Sequence, residues 1–157
     1  MKILLIFTLY LISVIYRNLS LQDSGSYQCG ETGVWNRTVN LKVKRDPCCL
    51  GSKTVSGYLG ETVTISCSYP EEFEENVKFF SKWTGEYFTE VIYITETQRG
   101  RFSILDHRRS KILSMSISDV REDDGGVYFC GAGKEMDAIR HKSFFTEIQL
   151  QLSGEIH

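Results

Sequence analysis

The sequence predicts an all-β protein, a sandwich of two antiparallel sheets with Greek-key connections. From residue 61 to residue 152, apolar and polar residues alternate in short runs separated by turn signals, which is the period of strands rather than helices. Two cysteines, Cys67 and Cys130, lie on such runs. The pattern Asp-x-Gly-x-Tyr-x-Cys also occurs twice in the 157 residues. Together these observations indicate a disulfide-linked sandwich and an incomplete second copy of it.

The chain opens with a leader-like segment, MKILLIFTLYLISVIY, at residues 1–16. Its apolar run is shorter than the roughly 20 residues needed to cross a bilayer, but it has the length and flanks of a secretory signal, although a small-residue cleavage site is missing. We therefore expect a signal peptide and a protein that is secreted or lies on the extracellular side of the plasma membrane. Sequons at Asn18 and Asn36 predict N-glycosylation, which fits export.

The two copies of the cysteine pattern superpose at an offset of 101 residues, which is the size of an immunoglobulin domain. At this offset Asp23, Gly25, Tyr27 and Cys29 fall on Asp124, Gly126, Tyr128 and Cys130. Residues 17–46 therefore read as the last turn and the F and G strands of a first domain whose earlier strands are absent. Because two strands are marginal alone in water, we expect this remnant not to close a sandwich of its own.

Residues 47–153 read as one complete variable-type domain, followed by a tail at residues 154–157. Cys67 lies on the inward face of the second strand, and Cys130 follows Tyr128, which takes the place of the tyrosine corner. A bridge between these cysteines is worth roughly 4 kcal/mol on the chain-entropy model. Phe80 occupies the core position where a Trp usually packs against this bridge.

Two further features support a variable-type domain. The segment YFTEVIYITETQRG, between the third strand and RFSIL, has the length to supply the C′ and C″ strands. Arg101 and Asp124 stand where variable-type domains pair an arginine with an aspartate below the sandwich, and we interpret that pair as structural.

The stretches SGYLGETVTISCSYP, VKFFSKW and GVYFCGAGK together carry a family resemblance. The chain resembles the V-type domains of the CMRF-type leukocyte receptors and of the polymeric-immunoglobulin-receptor-like proteins. The resemblance implies an immune cell-surface receptor that regulates immune signalling and binds lipid head groups or immunoglobulin through loops at one end of the sandwich. It also implies a second disulfide between strands C and C′, whose positions hold Ser81 and Thr89 here. We therefore expect that bridge to be absent and the C–C′ hairpin to be loosened.

Two charged loops are the candidate binding segments. The B–C loop, SYPEEFEEN, is acidic, and the F–G loop, GAGKEMDAIRHKSFF, is net basic with apolar tips. One interpretation is a charged recognition surface that steers a polar partner. The alternatives are that the loops only neutralise each other across solvent, or that the carboxylates hold Ca²⁺. The candidate residues are Glu71, Glu72, Phe73, Glu74, Glu75, Lys134, Met136, Asp137 and Arg140.

The remaining functional classes find little support in the sequence. The net charge of −2 gives no reason to expect nucleic acid, and neither a catalytic constellation nor a cofactor or metal motif is present. The basic D–E turn, DHRRSK, is interpreted as a solubilising segment on the far side of the domain. An alternative function is a secreted decoy or adhesion domain that pairs with another immunoglobulin domain through its C–C′–F–G face, and exposed Trp83, Tyr87 and Phe88 would favour it. The pairing of Cys29, Cys48 and Cys49 stays open.

Overall fold

The computed structural model describes residues 4–9, 12–16, 19–43, 52–136 and 139–154. Short 3₁₀ helices lie at Leu21–Asp23, Glu71–Phe73 and Glu122–Asp124. In chain order the strands are β1 (Leu4–Leu9), β2 (Ile12–Tyr16), β3 (Gly25–Glu31), β4 (Trp35–Leu41), β5 (Ser52–Tyr58), β6 (Val63–Ser68), β7 (Val77–Trp83), β8 (Phe88–Tyr93), β9 (Gln98–Arg99), β10 (Phe102–His107), β11 (Ile112–Ile117), β12 (Gly126–Met136) and β13 (Ile139–Ser153).

Two of the sheets form the predicted sandwich. The 7-stranded sheet has the order β2-β1-β13-β12-β7-β8, with β5 running parallel to the second half of β13. The 4-stranded sheet has the order β6-β11-β10-β9. Strands β6, β7, β8, β10, β11, β12 and β13 therefore take the positions B, C, C′, D, E, F and G. The fold class expected from the sequence, an all-β sandwich, is confirmed.

The strand at the C″ position differs from the expectation. Instead of extending the sheet of β8, the two residues of β9 pair with β10 in the other sheet. A bidentate ion pair between Arg99 and Glu96, with N–O distances of 2.6 and 2.7 Å, closes the turn before it. The Ile104 N–H donates to the Thr97 carbonyl at 3.2 Å, which holds this segment against β10. Only the C′ strand therefore joins the sheet that contains C, F and G.

The core of the sandwich follows the alternation in the sequence. On β6 the residues Val63, Ile65 and Cys67 are buried and the residues between them are not. The predicted disulfide joins Cys67 to Cys130. Phe80 is the direct cross-strand neighbour of Cys130 and is completely buried, so it fills the space beside the bridge. The core is thus built on one covalent link between the two layers.

The corner below the sandwich is organised around the Asp124 carboxylate. Arg101 donates to its two oxygens at 2.7 and 2.9 Å, and the Arg121 N–H adds a bond of 2.8 Å. The Tyr128 hydroxyl donates to the Asp124 carbonyl at 2.6 Å, which is the geometry of a tyrosine corner. Burial alone would raise the pKa of the Asp124 carboxyl, but these donors outweigh it and hold the pKa below its ordinary value.

This depressed pKa predicts a component of acid sensitivity. A carboxyl whose folded pKa lies below its unfolded value stabilises the fold above the unfolded pKa, about 3.9, and loses that contribution as pH falls through the folded pKa. We expect Asp124→Asn to be less stable than the unsubstituted protein at pH 7, with a difference that narrows below about pH 4. Urea unfolding between pH 2.5 and 7 measures it, and parallel curves for the two proteins would contradict the assignment.

The first copy of the repeat forms a separate two-stranded ribbon, β3–β4. It reproduces the corner of the complete domain, since the Tyr27 hydroxyl donates to the Asp23 carbonyl at 2.5 Å. Gly25 pairs with Leu41 as Gly126 pairs with Leu150. A small buried cluster packs against Tyr27 and consists of Leu19, Leu41 and Val43. The ribbon therefore has the hydrogen bonds of an F–G hairpin around a very small core.

The structure leaves several expectations about the leader segment, the sequons and three of the cysteines untested. Strand β1 pairs with both β2 and β13, so the leader segment forms a hairpin at the sheet edge, and its role as a signal peptide stays a prediction. Asn36 is exposed on β4, whereas Asn18 lies outside the described residues. The side chain of Cys29 and residues 44–51 also lie outside them, so the pairing of the three remaining cysteines stays open. The described residues include no helix with the length and apolarity needed to cross a bilayer.

Candidate recognition site

The B–C loop, residues 69–76, is folded back onto the domain. Its 3₁₀ helix begins after Pro70, and the Asn76 N–H donates to the Phe73 carbonyl at 3.0 Å. The Phe73 ring packs against Phe145 of strand β13, with 4.9 Å between the ring centroids. Phe73, the apolar side chain among the four glutamates, therefore anchors the loop to strand β13. Of the four glutamates, Glu71, Glu72 and Glu75 are exposed, and Glu74 is half-buried.

A buried lysine holds the other end of this loop. Lys78, the second residue of β7, is only 1% exposed. Its ammonium group donates to the Glu74 carbonyl at 2.7 Å and to the Asn76 carbonyl at 3.4 Å. The same group lies 3.0 Å from a carboxylate oxygen of Asp106, at the end of β10. One cation thus joins the loop backbone to the opposite sheet.

Tyr69 completes this network. Its hydroxyl donates to the second Asp106 oxygen at 2.7 Å, and the Lys78 ammonium group lies over its ring at 4.5 Å from the centroid. Burial, followed by the bond to the Asp106 carboxylate, raises the pKa of the Tyr69 hydroxyl well above its usual value. The Tyr69 side chain therefore stays neutral at any physiological pH and keeps its proton for Asp106. The network of Lys78, Asp106 and Tyr69 is called the buried clamp below.

The D–E turn, residues 108–111, lies beside the B–C loop, so the interpretation that it is on the far side of the domain is wrong. Ser68, the end of β6, pairs with Ile112, the start of β11, and the Tyr69 N–H donates to the Lys111 carbonyl at 3.0 Å. Because antiparallel neighbours bring the end of one strand to the start of the next, both connections emerge at the same end of the sandwich. The basic turn and the acidic loop are adjacent.

Charged side chains of the two segments face each other at this end. The Lys111 ammonium group lies 3.8 Å from a Glu71 oxygen, and the Arg108 guanidinium lies 3.9 Å from a Glu75 oxygen. Both glutamates are more than four-fifths exposed. The neutralising partner of the acidic loop in the described residues is therefore the D–E turn.

Residues 134–136 and 139–141 of the F–G hairpin are described only through their backbone. Strands β12 and β13 stay paired up to Met136 and Ile139, and β1 pairs with β13 as far as Arg140. The side chains of Lys134, Met136 and Arg140, and the whole of Asp137, lie outside the described residues. Their assignment to ligand binding stays a prediction. Within the described part of the chain, no group of three or more His, Cys, Asp or Glu residues could hold a metal ion.

The outer face of the sheet that contains C, C′, F and G carries an aromatic cluster, which sequence reasoning missed. Phe79, Phe129 and Phe144 are buried there, although they alternate with core residues. Gly131 makes room for the rings, since a Cβ at this position would lie 2.4 Å from the Ser143 carbonyl oxygen and 3.1 Å from Phe79. The sequence does contain a sign of this cluster, the FF pairs at residues 79–80 and 144–145. Because successive residues of a strand point to opposite faces, each pair makes both faces of its strand apolar.

The C–C′ hairpin is tethered to this cluster rather than loose. Phe88 of β8 contacts three rings, and the centroid distances are 4.6 Å to Trp83, 5.2 Å to Phe129 and 4.9 Å to Phe144. Trp83 and Phe88 are therefore half-buried. Pairing with another immunoglobulin domain through this face was expected to need exposed Trp83, Tyr87 and Phe88, and of these three only Tyr87, at 61%, is exposed.

The position of the family's second bridge also differs from the expectation. The structure pairs Ser81 with Glu90, not with Thr89. Ser81 is buried, and its hydroxyl has no hydrogen-bond partner among the described residues. The hairpin is therefore held to the sheet by ring contacts, without a disulfide between strands C and C′.

An ion pair borders the aromatic cluster. The Lys142 ammonium group on β13 bonds to the Glu90 carboxylate on β8, and the Tyr93 hydroxyl lies 3.4 Å from it. Burial alone would raise the pKa of the Glu90 carboxyl, but the bond from Lys142 outweighs this and lowers the pKa. Strands C′ and G are therefore linked by charge as well as by ring contacts.

Residues 51–152 match the family model described as the immunoglobulin V-set domain. The chain belongs to the immunoglobulin V-set family. This V-set domain is similar in fold to the second Ig domain of the mouse polymeric immunoglobulin receptor, with a TM-score of 0.55 at 22% identity over 68% of this chain and 100% of that one. The NK cell receptor Nkp44 gives a TM-score of 0.53 at 22% identity, over 66% of this chain and 100% of that one.

Curated relatives agree with the resemblance noted in the sequence. The polymeric immunoglobulin receptor of Rattus norvegicus is 31% identical over 151 residues, which cover 92% of this chain and 20% of the relative. CMRF35-like molecule 9 of Homo sapiens is 33% identical over 91 residues, 54% of this chain and 27% of the relative. The chain thus spans about a fifth of the length of the first of these relatives. Relationship to non-enzymatic receptors of the V-set family makes this a binding protein and not an enzyme.

Proposed function

We propose that this V-set domain is the extracellular ligand-recognition domain of an immune cell-surface receptor and contributes to the regulation of immune signalling. It binds its partner through the B–C and F–G loops at one end of the sandwich. The observation that carries the proposal is that the B–C loop has a fixed backbone and exposed carboxylates. The buried clamp and the Phe73–Phe145 contact fix its backbone, while the carboxylates of Glu71, Glu72 and Glu75 face solvent.

The chemistry of the loop favours immunoglobulin over polar lipid head groups as the partner class. Exposed carboxylates repel the anionic surface of a membrane and attract a protein surface that carries lysine or arginine. The first curated relative is named for polymeric immunoglobulin. A disulfide-bonded V-set domain also suits an oxidising compartment, so we propose that the chain acts on the extracellular side of the plasma membrane or as a secreted protein.

A charge-reversal experiment on the full chain tests this function. Binding is measured by surface plasmon resonance to polymeric immunoglobulin, and separately to vesicles of phosphatidylcholine and of phosphatidylserine. We expect the double variant Glu71→Lys/Glu75→Lys to bind immunoglobulin about tenfold more weakly, chiefly through slower association at low salt.

The matched control places the same charge change at the opposite end of the domain. Glu61 and Glu122 are both exposed, so Glu61→Lys/Glu122→Lys alters the net charge equally without touching the loop. This control should bind as the unsubstituted chain does. Equal losses in both variants, or binding to neither immunoglobulin nor vesicles by the unsubstituted chain, would contradict the proposed function.

A further inference from the structure

The B–C loop and the D–E turn are two parts of one rigid unit. Asp106, two residues before the turn, lies 3.0 Å from the Lys78 ammonium group and accepts from the Tyr69 hydroxyl at 2.7 Å. Lys78 in turn donates to the loop carbonyls of Glu74 and Asn76. The Tyr69 N–H closes the far end of the turn through its bond to the Lys111 carbonyl. The backbones of the two segments therefore keep a fixed spacing, and a partner that matches this spacing orders little chain on binding.

The exposed charged side chains of the B–C loop and the D–E turn make only weak ion pairs with each other among the described residues. The Arg108 guanidinium lies 3.9 Å from carboxylate oxygens of both Glu75 and Asp106, and its side chain is 62% exposed. The Lys111–Glu71 separation is 3.8 Å. All three distances exceed those of a hydrogen bond, and the two exposed pairs with the glutamates contribute at most about 1 kcal/mol each because solvent screens them. Arg109 is exposed and has no ion-pair partner among the described residues. A ligand can replace these contacts at little cost.

We propose that the D–E turn is the second half of the recognition surface, a role that rests on the proposed function of the B–C loop. Arg108 and Arg109 bind acidic side chains of a protein partner, while Glu71 and Glu75 bind basic side chains next to them. A row of one sign beside a row of the other fixes the orientation of the partner, because rotation by half a turn places like charges together. The occupant is a protein surface with alternating charge, since a lipid surface of one sign is repelled by one of the two rows.

Single substitutions in the full chain test the inference, with polymeric immunoglobulin as the probe. Arg108→Glu is compared with Arg121→Glu, whose side chain is 61% exposed and lies 3.4 Å from an Asp119 oxygen at the opposite end of the domain. We expect Arg108→Glu to weaken binding about fivefold, with an effect that fades at high salt, and Arg121→Glu to change it less than twofold. Arg108→Gln should give an intermediate loss, and thermal unfolding verifies that each variant is folded.

The outcomes separate this inference from the proposed function. If Glu71→Lys/Glu75→Lys loses binding while Arg108→Glu behaves as Arg121→Glu does, the D–E turn is not part of the surface and the proposed function stands. If the unsubstituted chain does not bind immunoglobulin, both fail. If Arg108→Glu instead weakens capture by phosphatidylserine vesicles, the choice of a protein partner is wrong.

Discussion

Replacing Lys78 by methionine should destabilise the domain by about 3–5 kcal/mol, because it leaves the Asp106 carboxylate without its buried cation. The Arg108 guanidinium, 3.9 Å from Asp106 and 62% exposed, compensates little of this loss. The Asp106 side chain is 7% exposed, so solvent cannot take the place of the ammonium group. The same substitution releases the Glu74 and Asn76 carbonyls, whose lost bonds cost further stability. Chemical denaturation at pH 7 measures the loss, and hydrogen exchange should show faster exchange at the amides of residues 71–76.

The controls separate burial of a charge from loss of packing. Lys53→Met removes an exposed lysine that makes only a 3.5 Å contact to the Ser66 carbonyl, and it should change stability by less than about 0.5 kcal/mol. The double variant Lys78→Met/Asp106→Leu removes both charges and should recover part of the loss, because no unpaired charge stays buried. Recovery should be incomplete, because the Tyr69 hydroxyl and the Glu74 and Asn76 carbonyls still lack their partners. A double variant as unstable as Lys78→Met alone would show that the charge of Asp106 is not the cause.

The sandwich was predictable because each of its main determinants is local in the sequence. Alternation over six or seven residues specifies which face of a strand is buried, and a cysteine on that face specifies where the layers are linked. The corner depends only on the spacing of Asp124 and Tyr128. These residues are four positions apart in the sequence, and the Tyr128 hydroxyl donates to the Asp124 carbonyl. The alternation on β6, the Cys67–Cys130 bridge and the Tyr128–Asp124 bond follow from such short spacings.

The buried clamp was missed although its signal is in the same alternation. Lys78 precedes Phe80 by two residues, so both point into the sandwich, and an inward lysine needs a buried acceptor. The acceptor, Asp106, lies 28 residues further along the chain, and nothing local identifies it. The position of the D–E turn was misjudged for a related reason. Placing a connection at one end or the other requires the direction of every strand, which charge and composition do not encode.

The C–C′ hairpin shows how an absent covalent bond misleads sequence reasoning. Two polar residues at the family's cysteine positions suggested a loosened hairpin, but the tether lies next to them, in Phe88. Its contacts with rings on C, F and G form only when all four strands, including its own strand C′, are in register. A pairwise pattern search therefore cannot find them, whereas a missing cysteine is visible at once.

Phe88→Ala should accordingly cost about 2–3 kcal/mol, less than a fully buried phenylalanine because the ring is half-exposed. It should also free the C–C′ hairpin, so that amides of β8 exchange faster while those of β6 and β11 in the other sheet do not. The neighbouring Tyr87→Ala is the matched control, since that ring is 61% exposed and should contribute less than about 0.5 kcal/mol. Equal losses in the two variants would mean that the hairpin is held by its backbone bonds to β7 alone, and that rings have not taken over from the disulfide.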